Sequence, residues 1–270
     1  MALYAIGDLH LCLGAEKPMD IFGGAWVDYM QKLKVGMSAI GPEDTVVLLG
    51  DISWALDLDE AKDDFAWIND IPGRKIVLKG NHDYWWNTAS KFYKFCNENG
   101  FSNIHILHNN CYFYDDIAIC GTRGWFFEEE RSGEHDEKVF KRELLRLEAS
   151  LKSAGDLQKI VFLHYPPRYK GYECPEILAL LKQYDVQACY YGHLHAESHK
   201  LAIEGSFDGT DFHLCAADFI TVSNEENAVA KVIEELENGT LKKLNINFSL
   251  PKLDIYCGYF TDTLANAPKK

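Results

Sequence analysis

Five short motifs in this 270-residue sequence contain residue types that bind metal ions. Each motif follows an apolar stretch, and in chain order they are Asp8-Leu9-His10, Gly50-Asp51, Gly80-Asn81-His82-Asp83, His164 and Gly192-His193-Leu194-His195. Carboxylate, imidazole and amide donors suit Mn²⁺, Fe or Zn²⁺, whereas a Ca²⁺ site would consist of oxygen donors alone. The motifs therefore predict a metal site with mixed nitrogen and oxygen ligands.

Each motif is a weak signal when it is taken alone. Asp-x-His is common by chance, Gly-Asp is an ordinary turn dipeptide, and Gly-Asn-His-Asp could also be a turn. A lone histidine such as His164 is more often a core or loop residue than a ligand. The five motifs together, each at the end of an apolar stretch, favour a shared site over chance. The glycines before Asp51, Asn81 and His193 would let the backbone turn sharply and approach the site closely.

The elements that must position these motifs alternate between strands and helices. The predicted strands cover residues 3–7, 45–50, 75–79, 104–108, 117–121, 159–163 and 187–191, and the predicted helices cover 26–39, 59–69, 88–99, 136–153 and 175–183. A hairpin with arms at 201–205 and 212–215 is predicted around Asp208-Gly209, and one more strand is predicted beyond Leu241. Because the C-terminal ends of strands joined by crossovers gather at one edge, we expect the motifs to meet there.

The five motifs in this order resemble the calcineurin-like metallophosphoesterase superfamily, over residues 8–195. The resemblance implies an α+β fold, a β-sandwich flanked by helices in four αββα layers, whereas periodicity alone would suggest a doubly wound sheet. The sequence has no internal repeat and no long linker, so one domain over residues 1–270 is expected. The Glu-rich run at 128–134 predicts a solvated loop leading into a helix, and a lid over the site is the alternative, so the role of residues 128–138 stays open.

The resemblance also implies a role for each predicted metal ligand. Asp8, His10 and His195 would hold one metal ion, and Asn81, His164 and His193 would hold a second. Asp51 would bridge the two ions. A hydroxide shared by two such ions would attack the phosphorus of a phosphate ester in line with the leaving group. The sequence contains no signal that distinguishes Mn, Fe and Zn.

His82 is expected to act on the substrate rather than on a metal ion. The resemblance places this histidine over the phosphate, where it would steady the phosphoryl oxygens or protonate the leaving group. Asp83 would accept the other imidazole N–H and so favour the charged form of His82. The alternative is that Asp83 is an N-cap or turn residue.

The substrate is less well defined by the sequence. The protein-phosphatase branch carries Gly-Asp-x-Val-Asp-Arg-Gly and Gly-Asn-His-Glu, and this chain has Ile52-Ser53-Trp54 after Asp51 and ends its third motif in Asp83. A protein Ser/Thr phosphatase is therefore disfavoured. Trp54 and Tyr84 would either wall the motif loops or stack on a base or another flat group. Arg123 and Arg168 are candidate phosphate contacts, with Arg123 the stronger of the two.

Composition narrows the class of function. The formal net charge of −14 disfavours a nucleic-acid footprint, and the absence of a long apolar run disfavours a membrane span. The scattered cysteines and the lack of a signal-peptide pattern favour a reduced, cytoplasmic protein. The leading hypothesis is a phosphatase or phosphodiesterase acting on a small monoester or diester, with a nucleotide as one candidate. A nuclease of the same superfamily and a non-catalytic metal-binding scaffold are the alternatives. No pattern indicates an oligomeric state.

Overall fold

The computed structural model describes residues 2–125, 134–220 and 230–233, the last four through their backbone alone. The strands of this part are β1 (Leu3–Ile6), β2 (Thr45–Leu48), β3 (Arg74–Val77), β4 (Ile104–Ile106), β5 (Tyr112–Tyr114), β6 (Ile117–Thr122), β7 (Gln158–Leu163), β8 (Arg168–Tyr169), β9 (Tyr172–Glu173), β10 (Val186–Tyr191), β11 (Gly205–Phe207), β12 (Thr210–Leu214) and β13 (Ala230–Ile233). The helices are α1 (Tyr29–Met37), α2 (Lys62–Asp70), α3 (Ala89–Asn99), α4 (Glu134–Ser153), α5 (Pro175–Gln183) and α6 (Ala217–Ile220).

The strands form two mixed sheets and one short hairpin. The first sheet has the order β13-β1-β2-β3-β4, in which β1 to β4 are parallel and β13 pairs antiparallel with β1. The second sheet has the order β11-β12-β10-β7-β6-β5, with four parallel central strands and an antiparallel strand at each edge. Parallel neighbours end at the same side of a sheet, so each sheet gathers its C-terminal strand ends along one edge.

Side-chain alternation divides the second sheet between two cores. Ile119, Phe162 and Tyr190 belong to a core that also contains the first sheet and buried residues of α1, α2 and α3. Their strand neighbours Cys120 and Val161 belong to a second core with α4 and α5. Since successive strand residues point to opposite faces, one face of this sheet packs on the first sheet and the other on helices. The predicted sandwich flanked by helices is confirmed.

The predicted element positions are largely confirmed, with small shifts at the ends. All seven predicted strands and all five predicted helices have a counterpart. The first predicted helix is shorter than expected because a 3₁₀ turn at Gly24–Trp26 precedes it, and Asp28 has φ 55° immediately before α1. Short strands at β5, β8, β9 and β13 were not predicted. Four or fewer residues carry too little periodicity to be recognised.

The predicted C-terminal hairpin is correct at its turn and wrong in one arm. Asp208 and Gly209 have positive φ, 51° and 90°, and connect β11 to β12. Residues 201–203 are not a strand, because Ala196–Leu201 is a 3₁₀ helix and the Tyr191 hydroxyl occupies both the N–H and the C=O of Ile203. The predicted strand beyond Leu241 and most of the Glu-rich run, residues 126–133, lie outside the described residues.

Two further features bear on the sequence predictions. In the part of the chain that the structure describes, no helix combines the length and the apolar character that a membrane span requires. The seven cysteines of this part are free, and most of them are buried, as expected for small core residues. The single domain and the cytoplasmic location stay predictions.

Candidate metal centre

The five motifs meet where strand ends of the two sheets come together. The Gly7 N–H donates to Cys215 O at 2.7 Å, and the Ala217 N–H donates to Gly7 O at 3.0 Å, so the end of β1 is joined to the chain after β12. His164, which follows β7, reaches across to the first sheet, where its Nδ1 lies 3.0 Å from Leu49 O. Motifs from both sheets therefore share one site.

Glycines allow the motif backbones to approach one another. A Cβ added at Gly80 would lie 2.0 Å from Asp51 Oδ1, and a Cβ at Gly192 would lie 2.5 Å from Asp8 Oδ2. A Cβ at Gly50 would lie 2.5 Å from Gly80 N. No side chain fits at these distances, so the predicted reason for the three glycines is confirmed.

Four of the predicted ligands adopt a backbone conformation that is uncommon outside glycine. Asp8, His10, Asp51 and His193 have φ values of 61°, 46°, 50° and 72°. Such left-handed residues cost free energy and concentrate where a site over-determines the backbone. Here the conformation turns the chain directly after a strand and directs the side chain into the site.

Asp8, His10 and His195 form a first group of donors whose atoms lie within 4.8 Å of one another. His195 Nε2 is 3.3 Å from Asp8 Oδ1 and 3.4 Å from His10 Nε2. Asp8 and His10 are almost completely buried, while His195 is partly exposed. These are the three residues predicted to hold one metal ion.

Asp8, Asp51 and His164 form a second group with the same spacing limit. His164 Nε2 is 3.6 Å from Asp51 Oδ1 and 2.7 Å from Asn81 Oδ1. The rings of His164 and His193 lie 5.2 Å apart between centroids. The structure thus brings together all the residues predicted to hold the second ion.

The two aspartates lie between the groups. Asp51 Oδ2 is 3.8 Å from His10 Nε2 in the first group, and its Oδ1 faces His164 in the second. Asp8 also faces both groups, because its Oδ1 is 3.9 Å from His164 Nδ1. Its Oδ2 accepts a 2.9 Å hydrogen bond from the His193 N–H, which fixes the fifth motif against the first. Asp51 and Asp8 therefore each face both donor groups, and the bridging role of Asp51 stays a prediction.

The charge state of the site suits a cation. Burial, together with neighbouring imidazoles, lowers the pKa of His10 and His164 well below the usual value and that of His193 to about 3. Neutral imidazoles have a nitrogen lone pair available for a metal ion. Burial raises the pKa of Asp51, and the carboxylates of Asp83 and Asp8 add to that shift.

Histidines are the only ion-pair partners of Asp8 and Asp51 in the part of the chain that the structure describes. Two carboxylates buried side by side repel each other and are costly even with backbone N–H donors, and a coordinated metal ion lowers that cost. The donor set therefore fits the metal ions that the sequence predicts.

Asp218 completes the site and was not predicted from the sequence. Its Oδ1 lies 2.9 Å from His195 Nδ1, and its Oδ2 accepts from the Ala196 N–H at 3.0 Å and lies 3.3 Å from His199 Nε2. Burial by itself would lower the pKa of His195, but the charges of Asp218 and Asp8 outweigh burial and raise it. The signal was present: Asp218 follows β12 as the other motifs follow their strands, but a lone aspartate is too common to stand out.

Asp83 does not hold the His82 imidazole, contrary to the sequence prediction. Its two oxygens accept from backbone N–H groups of two motifs and from one indole, namely Gly80, Asp51, Ile52, Ser53 and Trp85 Nε1. His82 Nδ1 is a buried atom that has no hydrogen-bond partner in the described part of the chain. Asp83 is completely buried beneath the loops, where unpaired N–H groups would be costly. The alternative, a turn residue, is the one that the contacts support.

His82 lies at the mouth of the site. Its side chain is 26% exposed, and its Nε2 is 4.0 Å from Asp51 Oδ2. Burial, with the charges of His195 and Lys17, lowers the pKa of His82 to about 4, so the expected charged form is wrong for the protein without ligand. Its N–H can still donate to an anion placed at the mouth.

Aromatic side chains wall this region in two different ways. Trp54 is packed, because its ring stacks on His10 at 4.7 Å and contacts His82 at 4.7 Å. Trp26, which the sequence did not single out, closes the same wall 5.7 Å from His195. Tyr84 is 57% exposed, and its ring lies 6.2 Å from His82, edge-on. Of the two predicted stacking residues, only Tyr84 presents a free surface.

The two candidate arginines also differ. Arg123 borders the site, since its carbonyl accepts from the N–H groups of His164 and Tyr165 at 3.1 and 2.9 Å. Arg168 is held elsewhere by a 3.0 Å ion pair with Glu173 and by the Phe207 ring, 3.5 Å from its guanidinium carbon. The structure does not bring Arg168 to the metal donors, and its contacts give it a packing role.

Comparison with known proteins identifies a family for this chain. The family model described as calcineurin-like phosphoesterase matches residues 1–197. No curated protein matches the chain in sequence. Among solved structures, similarity is found to a protein of unknown function from Aquifex aeolicus (15% identity, TM-score 0.44, covering 84% of this chain and 95% of that one). A phosphopantetheinyl hydrolase from Mycobacterium tuberculosis is similar as well (15% identity, TM-score 0.49, covering 80% and 88%).

The family match includes all five motifs and the seven predicted donors that converge between the two sheets. This chain belongs to the calcineurin-like phosphoesterase family and is a metal-dependent hydrolase.

Proposed function

We propose that this protein hydrolyses a small phosphomonoester or phosphodiester at a centre for two metal ions. Asp8, His10 and His195 would hold one ion. Asn81, His164 and His193 would hold the other, and Asp51 would contact both. The observation that carries the proposal is the Asp51 carboxylate, whose two oxygens face opposite donor groups at 3.8 and 3.6 Å.

Two ions at this position would supply Lewis acidity and a deprotonated water near neutral pH. Mn, Fe and Zn all accept this donor set. Hydrolysis adds water across the ester: its oxygen bonds to phosphorus, the bond from phosphorus to the leaving oxygen breaks, and that oxygen takes a proton. His82 would donate a hydrogen bond to a phosphoryl oxygen or to the leaving oxygen from the exposed side of the site.

The surroundings indicate what kind of ester fits. Tyr84 offers an exposed ring beside His82, where a flat leaving group such as a nucleobase would stack. Lys17 is close to the same mouth, with its ammonium 5.4 Å from the Trp54 ring centroid. A small substrate with one flat portion therefore suits the site. The complete set of donors and His82 favours an enzyme over a non-catalytic scaffold.

The direct test is metal-dependent turnover of p-nitrophenyl phosphate and bis(p-nitrophenyl) phosphate. Protein stripped with chelator and reloaded with Mn²⁺ should hydrolyse at least one of them. Asp51→Asn should abolish turnover and lower the bound metal content, because it weakens both donor groups. Asp59→Asn is the matched control, since Asp59 is exposed on the following loop and should behave as wild type. Full metal binding without turnover of either ester would argue for a binding role.

A further inference from the structure

A cationic cluster lies beside the candidate metal centre and has no part in the chemistry proposed above. We define it as Lys79, Arg123 and Arg146. Lys79 directly precedes the Gly80-Asn81 motif after β3, Arg123 follows β6, and Arg146 lies on α4. The cluster therefore joins one side chain from each sheet to one from a helix.

A single buried carboxylate organises the two arginines. Glu143 is 2% exposed and accepts from Thr122 Oγ1 at 2.8 Å and from Arg146 NH1 at 2.5 Å. Arg123 NH2 lies 3.8 Å from the same Glu143 oxygen as Arg146. Both guanidinium groups are thus held in place before any ligand arrives, which reduces the entropy lost when they bind one.

This carboxylate does not satisfy the cluster. Within the described residues, the Lys79 ammonium forms no hydrogen bond or ion pair, and Arg123 Nε is a buried donor without a partner. The charges of Arg123, Arg146, Glu143 and Asp83 all act on the Lys79 ammonium. Three cationic side chains thus lie near two carboxylates, Glu143 and Asp83, in a chain whose net charge is −14. Unpaired donors and surplus positive charge indicate an anionic ligand.

The cluster is one side chain away from the metal donors. The Arg123 guanidinium carbon lies 5.9 Å from the Tyr165 ring centroid, and that ring packs against His193 at 4.7 Å. The carbonyl of Arg123 also fixes the loop after β7, because it accepts the hydrogen bonds from the His164 and Tyr165 N–H groups. One ligand would therefore reach both places, with an anionic group at the cluster and a phosphate ester at the metal centre.

We propose that Lys79, Arg123 and Arg146 bind a second phosphate group of the substrate while the first phosphate is hydrolysed. The substrate class is then a phosphate ester whose alcohol portion carries another phosphate, such as a bisphosphate. Guanidinium forks and an ammonium group match phosphate oxygens, and the excess of cationic over anionic side chains favours an anionic ligand. The proposal rests on the proposed phosphoesterase function and specifies its substrate.

The first experiment tests the anion site without using turnover. The melting temperature of the Mn²⁺-loaded protein is measured in sodium sulfate and in sodium chloride at equal ionic strength. Sulfate should raise Tm by roughly 3–5 °C in wild type through binding to the folded state. Lys79→Gln, which breaks no ion pair, should lose most of that increase. Arg142→Gln is the matched control, because Arg142 is exposed on α4, the helix that also carries Arg146. This variant should keep the increase in Tm. Equal increases in all three proteins would overturn the proposal.

The second experiment tests whether the site serves the substrate. The ratio of kcat/KM for adenosine 3′,5′-bisphosphate over AMP, and for fructose 1,6-bisphosphate over fructose 6-phosphate, is measured for the same proteins and for Arg146→Gln. We expect one pair to show a ratio of about tenfold or more, the size of one charged hydrogen bond, in wild type and Arg142→Gln. Lys79→Gln and Arg146→Gln should bring that ratio close to one.

The outcomes separate this proposal from the one on which it rests. Suppose that p-nitrophenyl phosphate is hydrolysed and that every protein has the same kcat/KM for the bisphosphate as for the monophosphate. The proposed second-phosphate site is then wrong, while the phosphoesterase function stands. If no ester is hydrolysed by the metal-loaded protein, the proposed function itself fails, and a sulfate effect that depends on Lys79 would then show an anion site of another purpose.

Discussion

Replacing Asp83 by asparagine tests whether this residue organises the motif loops or acts on His82. Burial raises the pKa of the Asp83 carboxyl to about 6, against four hydrogen bonds that lower it, so the group is ionised at neutral pH. Each of its oxygens accepts at least two N–H donors, including Gly80 at 2.7 Å and Trp85 Nε1 at 2.9 Å. Asparagine keeps the shape but turns one acceptor into an N–H₂ group that faces donors.

The expected cost follows from those contacts. Whichever oxygen is replaced, at least two charge-assisted hydrogen bonds are lost, each worth about 1.5–3 kcal/mol. Asp83→Asn should therefore lower the free energy of unfolding by roughly 3–6 kcal/mol, which corresponds to a decrease in Tm on the order of 10 °C for a chain of this size. Because Asp83 supports the backbone of Asp51 and Gly80, metal content should fall as well.

Thermal unfolding followed by circular dichroism, metal analysis and turnover of p-nitrophenyl phosphate are measured on the same preparations. His82→Ala is the contrasting variant, because it removes a neighbour of Asp83 without touching these hydrogen bonds. If Asp83→Asn keeps the wild-type Tm and metal content and loses only kcat, Asp83 serves His82 and the structural reasoning is wrong.

Three further predictions follow from single contacts. His82→Ala should keep the metal content and lower kcat by about 10²–10⁴-fold, as for loss of a proton donor; loss of metal would show that His82 is a ligand. Asp218→Asn should weaken metal affinity by about 10–100-fold, measured by competition with a chelator, because Asp218 orients His195 through Nδ1. Burial lowers the pKa of Lys75 to about 8, below the unfolded value of 10.5, so the unfolded state holds the extra proton between these pH values. The stability of wild type relative to Lys75→Met should therefore increase from pH 8 to 10.5 in urea unfolding, and a constant difference would contradict the shift.

The fold was readable from the sequence wherever an element was long and strongly patterned. Buried parallel strands are nearly continuous apolar runs, as in β6 and β7, and α4 shows a clear helical period, so their positions were predicted within a few residues. The two-sheet arrangement came from the family resemblance instead. Apolar runs are alike in a doubly wound sheet and in a sandwich, because both bury the two faces of each strand.

The residues proposed as metal donors were singled out from the sequence itself, and the family resemblance supplied their roles. Asp8, Asp51 and His164 each follow a strand, and parallel strands bring such positions to one edge whatever the rest of the chain does. The glycines beside the ligands were equally informative, because the close approach at Gly80 excludes any other residue.

Only the tertiary structure decided which side chains support that centre. Asp83 precedes Tyr84 in a loop and adjoins His82, but its hydrogen bonds reach the second motif, about thirty positions earlier. Asp218 meets His195 because β12 lies beside β10 in the second sheet. Arg123 and Arg146 share Glu143 because α4 packs on β6. These contacts depend on how sheets and helices dock, and local periodicity contains no information on docking between distant segments.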